Sequence, residues 1–378
     1  MKTRLTILAF IGSLMFVFQN CSDVSFSSVA TDVKPLGCGP GLVPDAITGE
    51  CRPLRERTTT ATVVTQARQV DLFFIIDNSG SMAEDNRKLS EKLGGFVALL
   101  QNSNIDWQAC YTTTDVRTDR EQGRALKWLS ETGTTTNDVV LSPASSGDID
   151  SRFRRSIGRF TGGGGGNEQG INAMGLALNR TDTAVCFRTG AALTPILISD
   201  EDENSCGGRC QNSSDEMTLT GRLLSSYTNQ YRELTAANTP EYLINLVKER
   251  FAADKKFLFH SLVIKSKPQT DLSCYHTQDI EAQAFYGITY ENLSQLTGGI
   301  SGSICSNDYA IELKAIAERI DETLASITLE CAPYNNEVNV VLSPQPVGQT
   351  YSVQGDKLIF TPALVAGTSV TASYKCLD

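Results

Sequence analysis

Three oxygen-bearing residues, Asp77, Ser79 and Ser81, stand at alternate positions directly after the apolar run from Val70 to Ile76. A short continuous apolar run reads as a strand buried on both faces, the form taken by central strands of parallel sheets. In open α/β sheets the loops at the carboxyl ends of such strands line the binding crevice. One carboxylate and two hydroxyls meeting there suit a hard divalent cation, which takes oxygen ligands. A second run, Leu193 to Ser199, also ends in acid: Asp200 is followed by Glu201, Asp202 and Glu203. Two acid-ended strands are the chemical core of the sequence.

Composition narrows the alternatives. The 378 residues carry 33 basic and 43 acidic side chains, a formal charge of −10, which excludes the clustered positive footprint of a nucleic-acid binder. Neither DNA nor RNA is expected as a partner. With only two histidines, His260 and His276, hydrolysis built on histidine and an all-histidine metal site have nothing to build on. His260 falls inside an apolar segment and reads as a core residue. At 40% hydrophobic residues the chain has enough apolar material for a sizeable core.

The elements that must position the acids follow from periodicity. Ala83 to Leu100 carries Leu89, Leu93, Phe96, Val97 and Leu100 at helical spacing. Ile105 to Thr113 and Arg124 to Leu129 read as two strands of a hairpin on one edge of the sheet, and Ile149 to Phe160 as a helix. Five glycines, Gly162 to Gly166, then lead into a helix beginning near Gly170. No Lys, Ser or Thr follows in the phosphate-loop pattern, so the run implies a close backbone approach at the end of the sheet. Pro240 to Phe251 reads as helical, Lys256 to Lys265 as a third central strand, and Tyr309 to Ile327 as an amphipathic helix. This alternation predicts a doubly wound, mostly parallel α/β sheet flanked by helices. From Leu329 the period changes to two, with Pro and Gly turns, which predicts a small C-terminal all-β module.

The amino terminus has Lys2 and Arg4 before an apolar stretch from Leu5 to Phe18, the layout of an export signal. Cys21 follows at once and resembles the acylated cysteine of bacterial lipoproteins, although small residues usually precede such a cysteine. Eleven cysteines are an odd count for an exported chain, and assigning Cys21 to a lipid leaves ten to pair. Cys38 with Cys51, Cys206 with Cys210, and Cys331 with Cys376 are the pairings expected as local or terminal staples. Cys110 with Cys186 and Cys274 with Cys305 follow by elimination. The expected organisation is a signal peptide over residues 1–20, a lipidated spacer with a small disulfide loop over 21–62, the α/β domain over 63–328 and the β module over 329–378. Such a chain is expected to be a monomer in the bacterial cell envelope, as an outer-membrane lipoprotein held to the membrane by its lipid alone.

Taken together, the acid-ended strands at Asp77 and Asp200, the Ser79 and Ser81 pair and the glycine-rich turn before Gly170 resemble the von Willebrand factor type A domain, over roughly Gln66 to Ala325. In that family a divalent cation, usually Mg2+, sits on top of the sheet in a metal-ion-dependent adhesion site. The D-x-S-x-S pattern falls on Asp77, Ser79 and Ser81, and the strand-end Asp on Asp200. The family's remaining ligand, a Thr, falls here on Asn167 or Glu168. The resemblance implies a cofactor of Mg2+ or Ca2+ and a protein or cell-surface ligand bound through it, without enzymatic activity. If Glu168 reaches the ion, three carboxylates outweigh a +2 charge and a partner's carboxylate is disfavoured. Two rival readings are a metal-dependent hydrolase using Asp77, Asp200, Glu201 and Asp202, and a metal-independent envelope assembly scaffold.

Overall fold

The structure, a computed structural model, describes residues 38–39, 42–45, 50–62, 68–102, 104–117, 120–164, 168–205, 234–251, 255–266, 271–281, 284–306, 308–365 and 367–377. The export signal, Cys21, Asn167 and the Cys206–Cys210 pair lie outside the described residues. The chain divides into two compact units, residues 1–55 with 377–378, and residues 56–376.

In the first unit, β1 (Leu42–Pro44) pairs antiparallel with the start of β2 (Cys51–Thr62), placing Pro44 opposite Cys51. The Cys38–Cys51 disulfide closes this loop. Strand β2 runs on from this unit into the second, its side chains mostly alternating between exposed and half-buried.

The second unit holds a five-stranded parallel sheet of β3 (Gln69–Ile76), β4 (Asp106–Thr113), β5 (Ala192–Ile198), β6 (His260–Val263) and β7 (Ser301–Ser303). Its spatial order is β4-β3-β5-β6-β7. The helices are α1 (Ala83–Asn102), α2 (Ile149–Ile157), α3 (Gly170–Asn179), α4 (Pro240–Phe251), α5 (Leu272–Glu281), α6 (Ile288–Thr297) and α7 (Tyr309–Ala325). They divide between the two faces. Leu72, Phe74 and Ile76 of β3 pack with Leu93 and Phe96 of α1 and Leu313 and Ile316 of α7. Phe73 and Ile75 pack in a second cluster with Ile171 and Met174 of α3, Leu243 of α4 and Leu293 of α6. Successive side chains of one strand thus feed two cores, which is why its sequence is apolar throughout rather than alternating.

One edge differs from the expectation. Arg124 to Leu129 is no strand and makes no hairpin: β4 pairs parallel with β3, and the following chain runs irregularly beside its outer edge. Leu126 N donates to Tyr111 O at 2.8 Å, Ala109 and Leu141 exchange backbone bonds at 2.7 and 2.9 Å, and Trp128 Nε1 donates to Val139 O at 3.0 Å. The same indole N–H also lies 3.2 Å from Ala109 O, so Trp128 links β4 to the chain running beside it. The Cys110–Cys186 disulfide ties β4 to the segment after α3, and Cys274–Cys305 ties α5 to the segment after β7. The expected strand over 256–265 is regular only at His260–Val263, with isolated bridges at Phe257 and Ile264.

The C-terminal strands are antiparallel. β8 (Ser326–Thr328) pairs with β11 (Lys357–Thr361), which also pairs with β10 (Thr350–Gln354), while β9 (Val338–Ser343) pairs with β12 (Ser369–Leu377). They enclose a separate core of Leu329, Leu342, Leu358, Phe360, Val370, Ala372 and Tyr374, and the Cys331–Cys376 disulfide is present. The Thr59 hydroxyl of β2 lies 2.7 Å from the Tyr374 hydroxyl, which accepts from Glu330 N at 2.8 Å. The α/β sheet and the antiparallel module each have the class read from the sequence.

Candidate metal centre

Chain order and strand order together locate the crevice. The chain leaves β3 for β4 on one side and then crosses to β5 on the other, so the loops after β3 and β5 part in opposite directions. Asp77 follows β3 and Asp200 follows β5, one on each side of this switch point. Asp77 N donates to Ile198 O at 3.0 Å and Thr114 N to Ile76 O at 3.1 Å. These bonds extend the sheet ladders by one step, so residues 77, 114 and 199 leave it side by side.

Asp77 is fully buried and tightly held. Its Oδ1 accepts from Ser79 N at 2.8 Å and its Oδ2 from the Ser199 hydroxyl at 2.6 Å, while its carbonyl accepts from Asn86 Nδ2 in the first turn of α1 at 2.8 Å. Ser79 and Ser81 place their hydroxyls 2.9 Å apart. Asp200 is equally buried, and neither of its carboxylate oxygens has a well-formed hydrogen bond among the described residues, although the Ser81 hydroxyl is close enough to favour its charged form. Asn78 Oδ1 is buried beside the same loop and also lacks a well-formed hydrogen bond. Such groups cost free energy when left unsatisfied.

Glu168 completes the third corner. It is fully buried, and its Oε2 accepts a short hydrogen bond from the Thr114 hydroxyl. Its main chain is fixed from both sides, with Gln169 N donating to Thr114 O at 3.2 Å and Asn204 N to Glu168 O at 2.6 Å. Burial raises the pKa of Asp77, with Ser199 and Ser79 opposing. Burial, then the charges of Asp77 and Glu201, hold Glu168 and Asp200 well above the usual carboxylate range.

The acid run after β5 is not one unit. Asp202 turns to α6, accepting from Thr289 N and the Thr289 hydroxyl, each at 2.9 Å. Glu203 turns to the start of α3, accepting from Ile171 N at 2.8 Å and Asn172 N at 3.2 Å, and from Asn238 Nδ2 at 2.6 Å. Both serve orphan N–H groups at helix starts, where a carboxylate is also favoured by the macrodipole. Burial pushes each of them up to about 7, against those hydrogen bonds.

The glycine run makes the close approach that its composition implied. Gly164 N donates to Asn78 O at 3.0 Å, and a Cβ on Gly164 would lie 2.6 Å from both Asn78 O and Asn78 Oδ1. At the start of α3, a Cβ on Gly170 would overlap Leu197 Cδ1. The residue type at both positions is therefore set by contact with the loops around Asp77 and with β5.

Of the residues read from the sequence, Asp77, Ser79, Ser81, Asp200 and Glu168 gather at this end of the sheet. Thr114 and Ser199 were missed. Thr114 ends a run of three threonines at the carboxyl end of a parallel strand, so the strand-end rule applied to Asp77 and Asp200 would have found it. Among the described residues, no group of three or more His, Cys, Asp or Glu side chains is placed to hold a metal ion. The donor set of carboxylates and hydroxyls nonetheless fits a hard divalent cation, because Asp200 presents two buried oxygens without a well-formed hydrogen bond to a site with an excess of negative charge.

No protein-family profile matches the chain, and no relative is found among curated proteins. Solved structures do resemble it. A von Willebrand factor type A protein of Catenulispora acidiphila aligns at 16% identity and TM-score 0.39, over 86% of this chain and 61% of that one. The open conformation of the pilus adhesin SpaC of Lactobacillus rhamnosus GG aligns at 12% and 0.39, over 85% and 40%. The pilus adhesin RrgA of Streptococcus pneumoniae aligns at 9% and 0.29, over 86% and 59%. The chain spans about half the length of these proteins, and at such scores their functions are not carried over to it.

Proposed function

We propose that this chain is an exported, lipid-anchored envelope protein whose α/β domain, of the von Willebrand factor A type, holds a divalent cation and through it a protein or cell-surface ligand. Asp77, Ser79, Ser81, Asp200 and Glu168 hold the ion, Mg2+ or Ca2+, with Asn167 as an alternative third-corner donor. Bound there, the ion would supply positive charge that attracts oxygen ligands. Ser199 and Asn86 orient Asp77, and Thr114 orients Glu168.

The observation that carries this reading is Asp200, a carboxylate buried at a switch point with like charges beside it and the Ser81 hydroxyl as its hydrogen-bonding neighbour. The four disulfides among the described residues fit an oxidising compartment, and Lys2, Arg4, the apolar stretch after them and Cys21 supply the export and anchoring signals. The hydrolase reading loses Asp202, which is committed to α6.

The test is retention of the purified chain on immobilised cell-envelope fractions in Ca2+ or Mg2+ and in EDTA, for the natural protein and Asp77→Ala. Retention that disappears in EDTA and in the variant is expected. Equal retention in all conditions would favour the metal-independent scaffold.

A further inference from the structure

The antiparallel module is unequal from end to end. Between Val338 and Tyr374 it carries two charged residues, Asp356 and Lys357, in a chain where 20% of residues are charged. Both lie in the turn between β10 and β11, where Gln354 pairs with Lys357. At the opposite end two loops meet, one joining β9 to β10 and the other joining β11 to β12. Ser343 pairs with Ser369 and Thr350 with Thr361, so four strand ends gather there. The Thr350 hydroxyl donates to Thr361 O at 3.0 Å, and Gln349 Nε2 donates to Pro362 O, which ties one loop to the other.

The two loops are built alike. Each has Pro one residue and Val four residues after the end of its strand: Pro344 and Val347 follow Ser343, and Pro362 and Val365 follow Thr361. Val347 is fully exposed and Val365 is 64% exposed. Leu364 and Thr368 are buried, so Val365 protrudes from a loop rooted in the module's core. Gly348 and Gly367 take left-handed backbone, with φ of 75° and 86°, which turns each chain back just past its valine. Neither loop carries a charge. A single exposed valine needs no explanation, but two at matching positions on hydrogen-bonded loops make an apolar tip.

Resting on the lipid-anchoring reading above, we propose that this tip is a second membrane contact, which dips Val347 and Val365 into the interface of the bilayer that holds the lipid of Cys21. The 35 residues from Cys21 to Glu56, where the unit containing the module begins, span at most on the order of 120 Å, so an anchored chain keeps this unit near the bilayer. Such a tether raises the effective concentration, and a shallow contact then suffices. Bilayer surfaces are anionic, and a chain of formal charge −10 is repelled from them least where its own charge is absent. The tip is also small for a stable protein complex. Two valines and the exposed Pro344 and Pro362 fall well short of the about 800 Å2 that each partner buries in one. A bilayer sets no such footprint, because interfacial binding scales with whatever apolar area is buried.

The experiment uses the mature chain from residue 21 with Cys21→Ala, which can carry no lipid. Its sedimentation is compared on vesicles of phosphatidylcholine alone and of equal parts phosphatidylcholine and phosphatidylglycerol, with far-ultraviolet spectra establishing that each variant is folded. Weak retention is expected on the first and none stronger on the second, since the tip offers no cation. Val347→Asp combined with Val365→Asp should lower the retained fraction about tenfold. Val347→Trp should raise it about fivefold and add a blue-shifted emission that brominated lipid quenches. Val341→Asp, at a valine 56% exposed on β9 rather than on a loop, should leave retention unchanged.

No retention of either the Cys21→Ala chain or its Val347→Trp form would overturn the proposal, as would an equal loss from Val341→Asp. Retention that required phosphatidylglycerol would place an electrostatic contact elsewhere and overturn it too. Sedimentation equilibrium showing a dimer that Val347→Asp dissociates would assign the tip to a second copy of the chain instead. Mass spectrometry of the natural protein tests the anchor separately: an unlipidated Cys21 with vesicle retention intact would remove the anchoring reading and leave the loop contact standing.

Discussion

Within one run of four acids, neighbouring residues should respond to neutralisation with opposite signs. Glu203 accepts three hydrogen bonds in a buried place, from Ile171 N, Asn172 N and Asn238 Nδ2. Glu203→Ala leaves three donors unpaired, each costing about 1–3 kcal/mol, and relief of the buried charge together with entering water offsets part of the sum. The expected net loss is about 3–5 kcal/mol, or roughly 10 °C in melting temperature at about 2–4 °C per kcal/mol. Asp200 has at most the Ser81 hydroxyl as a hydrogen-bonding neighbour and has like charges beside it. At about 6 Å and an effective dielectric of about 20, one like-charge pair costs about 3 kcal/mol, and proton uptake at neutral pH limits the recoverable part to about 1–2 kcal/mol. In EDTA, Asp200→Asn should therefore melt a few degrees above the natural protein, and added Ca2+ should no longer raise its melting point. Circular dichroism with thermal ramps in EDTA and in millimolar Ca2+ reads all of this. If both variants were destabilised alike in EDTA, the division of the run into cap and site would be refuted.

Gly164→Ala puts a Cβ 2.6 Å from Asn78 O, so the loop carrying Ser79 and Ser81 must shift, and Ca2+ affinity measured by calorimetry should fall about tenfold with the far-ultraviolet spectrum unchanged. His260 is pushed down to about 3 by burial, with Arg319 acting in the same direction. The unfolded chain therefore takes up a proton that the native state refuses. The stability this contributes is present above about pH 6.5 and is lost as pH falls toward 3, amounting to about 2 kcal/mol by pH 5. His260→Asn, which keeps an acceptor for Ile300 N, should show a pH profile of urea unfolding flatter than the natural protein's by that amount. Replacing Cys110 and Cys186 together by Ala should cost about 2–5 kcal/mol in urea while leaving Ca2+ affinity nearly unchanged, because the bridge lies within the sheet rather than at its end.

What could be read in advance depended on how many physical constraints converged on a segment. β3 and β5 are buried on both faces, so their apolar runs and terminal acids pointed to one kind of place. The glycine run implied a close approach, and Gly164 makes it. Arg124 to Leu129 alternates like a strand, but alternation cannot distinguish a ladder from a few bridges organised around Trp128. β2 was hidden because it is polar, only partly buried and interrupted by Pro53 near its start. The helix α5 was missed in a segment with few apolar residues. The acids after β5 look alike in sequence, and only the position of the helix starts assigns Asp202 and Glu203 to capping. Thr114 was legible in principle, since it ends a parallel strand beside the one that delivers Asp77.

The central claim is that Asp77 and Asp200, on either side of the switch point, hold a divalent cation. Calorimetric titration of the metal-stripped protein with Ca2+ and Mg2+, repeated on Asp77→Ala, tests it most directly. The account predicts one saturable site in the natural protein, absent from a variant that still shows the natural protein's far-ultraviolet spectrum. No heat of binding with either ion, or the same isotherm after Asp77→Ala, would contradict it.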